Sequence, residues 1–425
     1  MPVSRGRAFA SRSWLLSLPI SLVLAAFGCS VDSSDGPGAG GTSNNTAGSG
    51  VFPGGTSSGG SATQGSGGTA SEPTAGSAPT TGGTGNGVAG SGPVAGSAPV
   101  GGSAPVGGSA PTGGTGNSNT GDTPAPRPIK IDPNAAVNKQ VTFTAKQLDP
   151  MAGTSTTDTN AGSQEHAQVD TRKPKIQGKL VLTMGGIGTC CGQGGIGGFA
   201  VGLGFHEMAI AYQTKISSAP DKYKTALKAN PDDPEANRQM GDGRMEAWDG
   251  KDRVDWLDIN EHDSFAYRTA LALKYMVDQD PGADWGYFLN ADGSVRWSDV
   301  YLVGYSYGSQ TLAVVGKYVR IGRGIATSGP VDEGFPAATW IKQTSATPLE
   351  RMVGLFGSQN LDTKVQTTTA AGWLGPAITV KAGATTADLM AGHLFILDGQ
   401  GHSEFCAGDG GNWKALCQYA FGVMQ

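Results

Sequence analysis

Gly304-Tyr305-Ser306-Tyr307-Gly308 directly follows the apolar run Val300-Tyr301-Leu302-Val303. A serine between two glycines, where a strand turns into a helix, is held in a strained backbone with its hydroxyl exposed, a nucleophile elbow. A Cβ at either glycine would collide with the neighbouring strand or helix. The chemistry this permits is attack on an acyl carbon. A serine hydroxyl is a poor nucleophile at neutral pH, so the chain must also supply a base, an acid to orient it and N–H donors for the oxyanion. Its histidines are His166, His206, His262, His393 and His402.

The elements that must position these groups are legible in the hydrophobic pattern. Residues 140–148 alternate as an edge strand does, and 150–173 read as a polar loop. Buried-type strands are expected at 179–184, 207–212, 300–303, 323–326, 352–356 and 393–397. Glycine-rich 194–204 reads as a short helix or loop, and 309–318 as the helix leaving the elbow. Helical spacing over 263–278 has Asp263 or Ser264 as its N-cap, and 413–424 closes the chain as a helix. Strands separated by helices imply an α/β fold, a mostly parallel sheet with helices on both faces. In such sheets sites form at the carboxyl ends of the strands, where the candidate residues fall.

With that layout, the segment from about residue 140 to the end resembles the α/β-hydrolase superfamily, esterases and lipases among them, whose chain order is serine, acid, histidine. The resemblance implies a nucleophile at Ser306. It implies a base at His402, in the Asp398-Gly399-Gln400-Gly401-His402 loop after the last strand. His393 stands at the wrong end of that strand, and the other three histidines precede the serine. The acid implied is Asp362, in Phe356-Gly357-Ser358-Gln359-Asn360-Leu361-Asp362; Asp332, after the preceding strand, competes for the role. An acid there holds the imidazole in the right tautomer and stabilises its protonated form. The oxyanion donors implied are the N–H of Tyr307 and that of Gly186 or Ile187, in the loop Met184-Gly185-Gly186-Ile187-Gly188. The expected activity is hydrolysis of carboxylic esters in a small molecule, lipid or polymer through an acyl-enzyme, with no metal or organic cofactor. A peptidase or acyltransferase on the same fold, or a non-catalytic surface-tethered binding module, are the rival readings.

Residues 331–351 leave room for a helix but not a cap domain. The longer polar insertion, 215–262, forms either a wall of the cleft or a surface excursion. Trp373, between the acid and the histidine, is expected to line the pocket. Tyr305 and Tyr307 flank the serine, facing either a ligand or the sheet.

Residues 31–126 are Gly, Ser, Thr, Ala, Pro and Asn almost throughout, and the only charges are Asp32, Asp35, Glu72 and Asp122. Gly-Ser-Ala-Pro recurs at 76–79, 96–99, 102–105 and 108–111. Such a segment buries too little apolar surface to offset chain entropy, and reads as a disordered spacer. It breaks the strict glycine period a collagen helix needs. Arg5, Arg7 and Arg12 precede an apolar stretch ending Ala25-Ala26-Phe27-Gly28-Cys29. This resembles a bacterial lipoprotein signal, with Ala26 where the pattern prefers Leu. The expected organisation is a signal peptide at 1–28, a disordered tether at 29–128 and a catalytic domain at 129–425. Lipidated Cys29 would anchor the protein to a membrane of the cell envelope; ordinary cleavage would release it. A Gly-rich coil of about 100 residues reaches roughly 50–60 Å.

Cys190, Cys191, Cys406 and Cys417 are disulfide candidates in an exported chain. Cys406 and Cys417 are close enough to staple the last loop to the last helix. The vicinal Cys190-Cys191 pair either bridges itself or holds a loop elsewhere. A metal site at His402, Glu404 and Cys406 lacks a second cluster with zinc spacing. No G-x-x-x-x-G-K-[ST] is present for a nucleotide. A net charge of −5, with no basic block in the folded part, gives nothing for nucleic acid to bind.

Overall fold

Apolar strands in the sequence become the centre of a nine-stranded sheet. The structure, a computed structural model, describes residues 127–423 apart from Ala136, Asp158, Gln193, Ser217, Asp362, Met390, Ala391 and Glu404. The signal segment, Cys29 and the tether up to residue 126 lie outside the described residues, as does Asp362.

The strands are β1 (Asn138–Phe143), β2 (Glu165–Asp170), β3 (Leu180–Met184), β4 (His206–Ala209), β5 (Val300–Tyr305), β6 (Arg323–Thr327), β7 (Met352–Gly357), β8 (Ala377–Val380) and β9 (Leu394–Leu397). Their order is β1-β2-β4-β3-β5-β6-β7-β9-β8. The first two pairings are antiparallel and the rest parallel. Strand alternation divides the core into two layers. Leu180, Leu182, Met184, Val300 and Leu302 face one layer, with α5 (Phe265–Gln279) and α6 (Tyr307–Tyr318). Val181, Val303, Val353 and Leu355 face the other, with α2 (Gly194–Gly202) and α9 (Lys414–Ala420). Each fully buried aliphatic side chain contributes about 1.5–3 kcal/mol.

Several expectations need correction. The edge strand ends at Phe143, because Thr144 and Gln147 form a capping box that starts a short helix, α1 (Ala145–Leu148). The stretch expected as a loop contains β2, with Glu165, Ala167 and Val169 buried. Trp373 is 4% exposed and belongs to the core rather than to a pocket.

The polar insertion folds into α3 (Asp221–Ala229) and α4 (Pro234–Asp249), and α4 is a core element packed on α6. Several of its buried polar side chains are hydrogen-bonded there. The Glu246 carboxylate accepts from the N–H groups of Arg253, Val254 and Ile259 at 2.8, 3.0 and 3.3 Å. Between β6 and β7 stand the four-residue α7 (Thr339–Lys342) and a single 3-10 turn at Leu349–Arg351, with no cap domain, as the short spacing implied; α8 (Lys364–Ala370) follows β7.

Candidate active site

The turn between β5 and α6 places Ser306 at φ 52°, ψ −109°. Left-handed φ costs a non-glycine residue about 1–2 kcal/mol, so the surrounding contacts must hold it there. They do. Ser306 N donates to the Thr327 carbonyl at 2.9 Å. Ser309 Oγ lies 2.7 Å from both the Gly304 and Thr327 carbonyl oxygens. The two elbow glycines are required by close approach. A Cβ on Gly304 would stand 2.4 Å from Gly308 C, and one on Gly308 would stand 2.2 Å from the Met184 carbonyl oxygen.

The loop after β3 meets the elbow from the other side. A Cβ on Gly186 would lie 3.6 Å from Ser306 Cβ and 3.1 Å from the Tyr305 ring. The Gly186 carbonyl accepts from Thr189 N at 3.2 Å and Thr189 Oγ1 at 2.7 Å. A trans peptide points its N–H opposite its carbonyl, so the Ile187 N–H is turned away from Thr189. Gly188 N bonds the Thr214 carbonyl at 3.2 Å, and the Ile187 side chain is 57% exposed.

Tyr307, the residue after the serine, is buried, and its side chain belongs to the scaffold. Its hydroxyl donates to Gln213 Oε1 at 2.7 Å, and the Arg244 guanidinium lies 3.7 Å over its ring. That cation–π contact ties α4 to the first turn of α6. Burial raises the Tyr307 pKa, so the phenol stays neutral. The role left to Tyr307 in a reaction is its backbone N–H. Tyr305 is half-buried and points the other way, its ring centroid 5.3 Å from that of His402. Its hydroxyl bonds the His402 carbonyl at 3.4 Å.

His402 is exposed, on a loop zipped to the one after β7. Ser358 N bonds the Leu397 carbonyl at 3.0 Å, Gln359 N bonds that of Gln400 at 2.9 Å, and Gly399 N bonds Ser358 Oγ at 2.9 Å. Gly357 fits because a Cβ there would stand 2.0 Å from the Gly401 carbonyl oxygen. His402 Nδ1 lies 3.2 Å from Asn360 Oδ1. An amide oxygen only accepts, so this contact is a hydrogen bond in the form of the ring that carries a proton on Nδ1. Asp362, the expected acid, follows Asn360 by two positions and lies outside the described residues.

The competing acid, Asp332, has other work. It is buried, and its carboxylate accepts from Trp340 Nε1 at 2.5 Å and Gly334 N at 2.7 Å. Burial pushes its pKa up to about 6 against those two hydrogen bonds. The remaining histidines stand elsewhere. His393 Nδ1 faces the Met352 carbonyl, His206 Nε2 donates to the Ala283 carbonyl, His262 pairs with Asp149 and His166 with Glu207. Cys406 and Cys417 form a disulfide, which removes Cys406 from any ligand set. Cys190 and Cys191 are free thiols.

The structure thus gathers Ser306, Tyr307 and Gly186, and sets His402 beside Tyr305 at the carboxyl ends of the strands. Sequence reasoning missed Asn360, Gln213 and Arg244. Asn360 carried a signal, being in the loop expected to hold the acid; Gln213 and Arg244 carried none.

The class this sheet order and elbow define is the α/β-hydrolase fold. No protein-family model and no curated protein matches the chain. Among solved structures, the S-formylglutathione hydrolase of Agrobacterium tumefaciens is similar over 63% of this chain and 90% of its own, at 14% identity and a TM-score of 0.31. A fluorophosphonate-binding serine hydrolase of Staphylococcus aureus is similar over 68% of this chain and 98% of its own, at 9% identity and a TM-score of 0.32. A Bacteroides ovatus protein described as a candidate dipeptidyl aminopeptidase IV is similar over 68% of this chain, at 9% identity and a TM-score of 0.33; the match spans 36% of that longer chain. Likenesses of that size say nothing of what this chain acts on; its own residues must.

Proposed function

We propose that the protein is an exported serine hydrolase that cleaves carboxylic esters through an acyl-enzyme. The observation that carries this reading is Ser306, held at φ 52° on the β5–α6 turn with Gly186 against it. Strained backbone of this kind clusters at functional sites; Ser328, just after β6, shares it at φ 57°, and Ser306 is set apart by the close-packed elbow glycines and by Gly186 against it.

In this reading Ser306 Oγ attacks the ester carbonyl while His402 Nε2 takes its proton. Asp362 and Asn360 orient the imidazole from the Nδ1 side. The oxyanion is received by the N–H of Tyr307, at the start of α6, and by that of Ile187 or Gly186. The α6 N-terminus adds its dipole to that stabilisation. His402 then protonates the leaving alcohol, and a water activated by the same ring releases the acid. The ester belongs to a small molecule, a lipid or a polymer met outside the cytoplasm, to which a lipid at Cys29 and the long tether would present the domain.

The test is turnover of p-nitrophenyl esters, with products analysed in the presence of an added alcohol and of a matched peptide amide. Release of free acid from the ester supports the reading. Transfer to the alcohol makes the protein an acyltransferase, cleavage of the amide alone makes it a peptidase, and no turnover by folded protein leaves a binding module.

A further inference from the structure

Cys190 and Cys191 sit in the loop that runs from β3 to α2, the loop that also carries Gly186 and Ile187. Cys190 is half-buried and Cys191 is 6% exposed. They are neighbours in the chain, and Cys191 Sγ lies 3.0 Å from the Gln164 carbonyl oxygen. The neighbouring Cys191, with Ser163 and His166, lowers the Cys190 thiol against the effect of burial, while the same pairing and burial raise Cys191, so Cys190 is the member more readily deprotonated to the thiolate that attacks disulfides.

The pair is coupled to the oxyanion loop at two points. Thr189, the residue before Cys190, supplies both hydrogen bonds to the Gly186 carbonyl. The Cys191 carbonyl oxygen packs on Gly185, where a Cβ would approach it to 2.2 Å. On the far side Gly192 is pressed on Thr183, whose Oγ1 would stand 1.6 Å from a Cβ there. The 190–191 peptide therefore has little room to change shape without moving Gly185 and Thr189.

Closing a bridge between neighbours demands such a change. Consecutive Cα atoms stand ~3.8 Å apart across a trans peptide, whereas disulfides normally span roughly 4.4–6.8 Å. A vicinal bridge closes an eight-membered ring around the 190–191 peptide and is strained. Strained bridges are the readily reduced ones, suited to switching rather than to stapling.

We propose that Cys190 and Cys191 are a thiol-modification site, oxidised by low-molecular-weight disulfides to a vicinal bridge, and that the bridge switches the oxyanion loop at Gly186 and Ile187. The Cys190 thiolate attacks one sulfur of the small disulfide and expels one thiolate. The Cys191 thiol gives up its proton to that thiolate and attacks Cys190 Sγ, expelling the second. Two protein thiols become one disulfide, and one small disulfide becomes two thiols. The effect on reaction rests on the serine-hydrolase reading above; the effect on the loop does not.

The test treats the full-length protein with oxidised glutathione and then with dithiothreitol. The oxidised protein is expected to yield a proteolytic peptide containing Cys190 and Cys191 that lacks the mass of two hydrogens. Fluorophosphonate labelling of Ser306 should fall by about 100- to 1,000-fold, the scale of losing one oxyanion donor, and dithiothreitol should restore it. Cys190→Ser/Cys191→Ser should be labelled at one rate in both states; because it retains Cys406 and Cys417, it also shows any effect of that other bridge. Amide hydrogen exchange over residues 185–192 should change with redox state in the wild type alone. Failure of the bridge to form, or a bridge that leaves both labelling and exchange unchanged, overturns the proposal. If the reduced protein is never labelled, the hydrolase reading fails, and the exchange measurement still decides whether the pair switches the loop.

Discussion

Gly186 lies against Ser306 so closely that a methyl group on it would stand 3.6 Å from the serine Cβ and 3.1 Å from the Tyr305 ring. The second contact is tight and the ring is stiff. Gly186→Ala should therefore push the loop away from the elbow while leaving the sheet intact. The expected result is a fall of about 100- to 1,000-fold in kcat on an ester with KM little changed. A stability loss of about 1–3 kcal/mol in urea should accompany it. A variant with unchanged kcat would remove this loop from the oxyanion hole.

The strain at Ser306 predicts an inverted stability order. Alanine keeps the Cβ that makes φ 52° costly, and glycine removes it. Ser306→Gly should be roughly 1 kcal/mol more stable than Ser306→Ala in denaturant unfolding, with both inactive. Equal stability would mean that the turn relaxes once the hydroxyl is gone.

Asp332 is expected to matter for stability, not for proton transfer. Its carboxylate is occupied by Trp340 and Gly334, and its pKa is raised to about 6 from the ordinary 3.8. The folded protein thus holds this proton more tightly than the unfolded chain does. The stability it supplies is complete below pH 4 and is lost as pH rises through 6, by up to roughly 3 kcal/mol. Asparagine does not ionise, so the stability gap between Asp332→Asn and wild type should shift toward the variant by that amount from pH 4 to 7. Ester turnover of the variant should stay within a few-fold of wild type. A loss of a thousandfold or more would make Asp332 the triad acid after all.

The Cys406–Cys417 bridge closes the segment just after the histidine loop onto α9, with a sequence separation of 11. Cross-links of that loop size stabilise by about 2–3 kcal/mol in the chain-entropy description. Cys406→Ala/Cys417→Ala should lose about that much in unfolding experiments and should lower kcat through a looser His402. An unchanged unfolding midpoint would show that the loop is held by its zipper to residues 357–360 alone.

What could be read from the sequence divides along a physical line. The elbow, the central parallel strands and the histidine loop were legible because a buried strand reads as a continuous apolar run and the turns around it need glycine. β2 was not, because Glu165 and His166 make it look polar while its Glu165, Ala167 and Val169 face is buried. α4 was hidden by the same effect. Gln239, Arg244 and Glu246 are buried against partners outside the helix: Gln239 accepts from Trp256, Arg244 donates to Gln310 and Glu246 accepts from the Arg253 N–H. Its boundaries were nevertheless written in the chain, with Asp233 capping, Pro234 in the first turn and Gly250 in the left-handed C-cap. Trp373 misled because an aromatic residue between two site residues in sequence need not stand between them in space.

The central claim is an activated serine at Ser306, and intact mass after exposure to a fluorophosphonate tests it most directly. Wild type should gain a single adduct, and Ser306→Ala and His402→Ala should gain none. No adduct on correctly folded wild type, or one that persists on Ser306→Ala, would contradict the account.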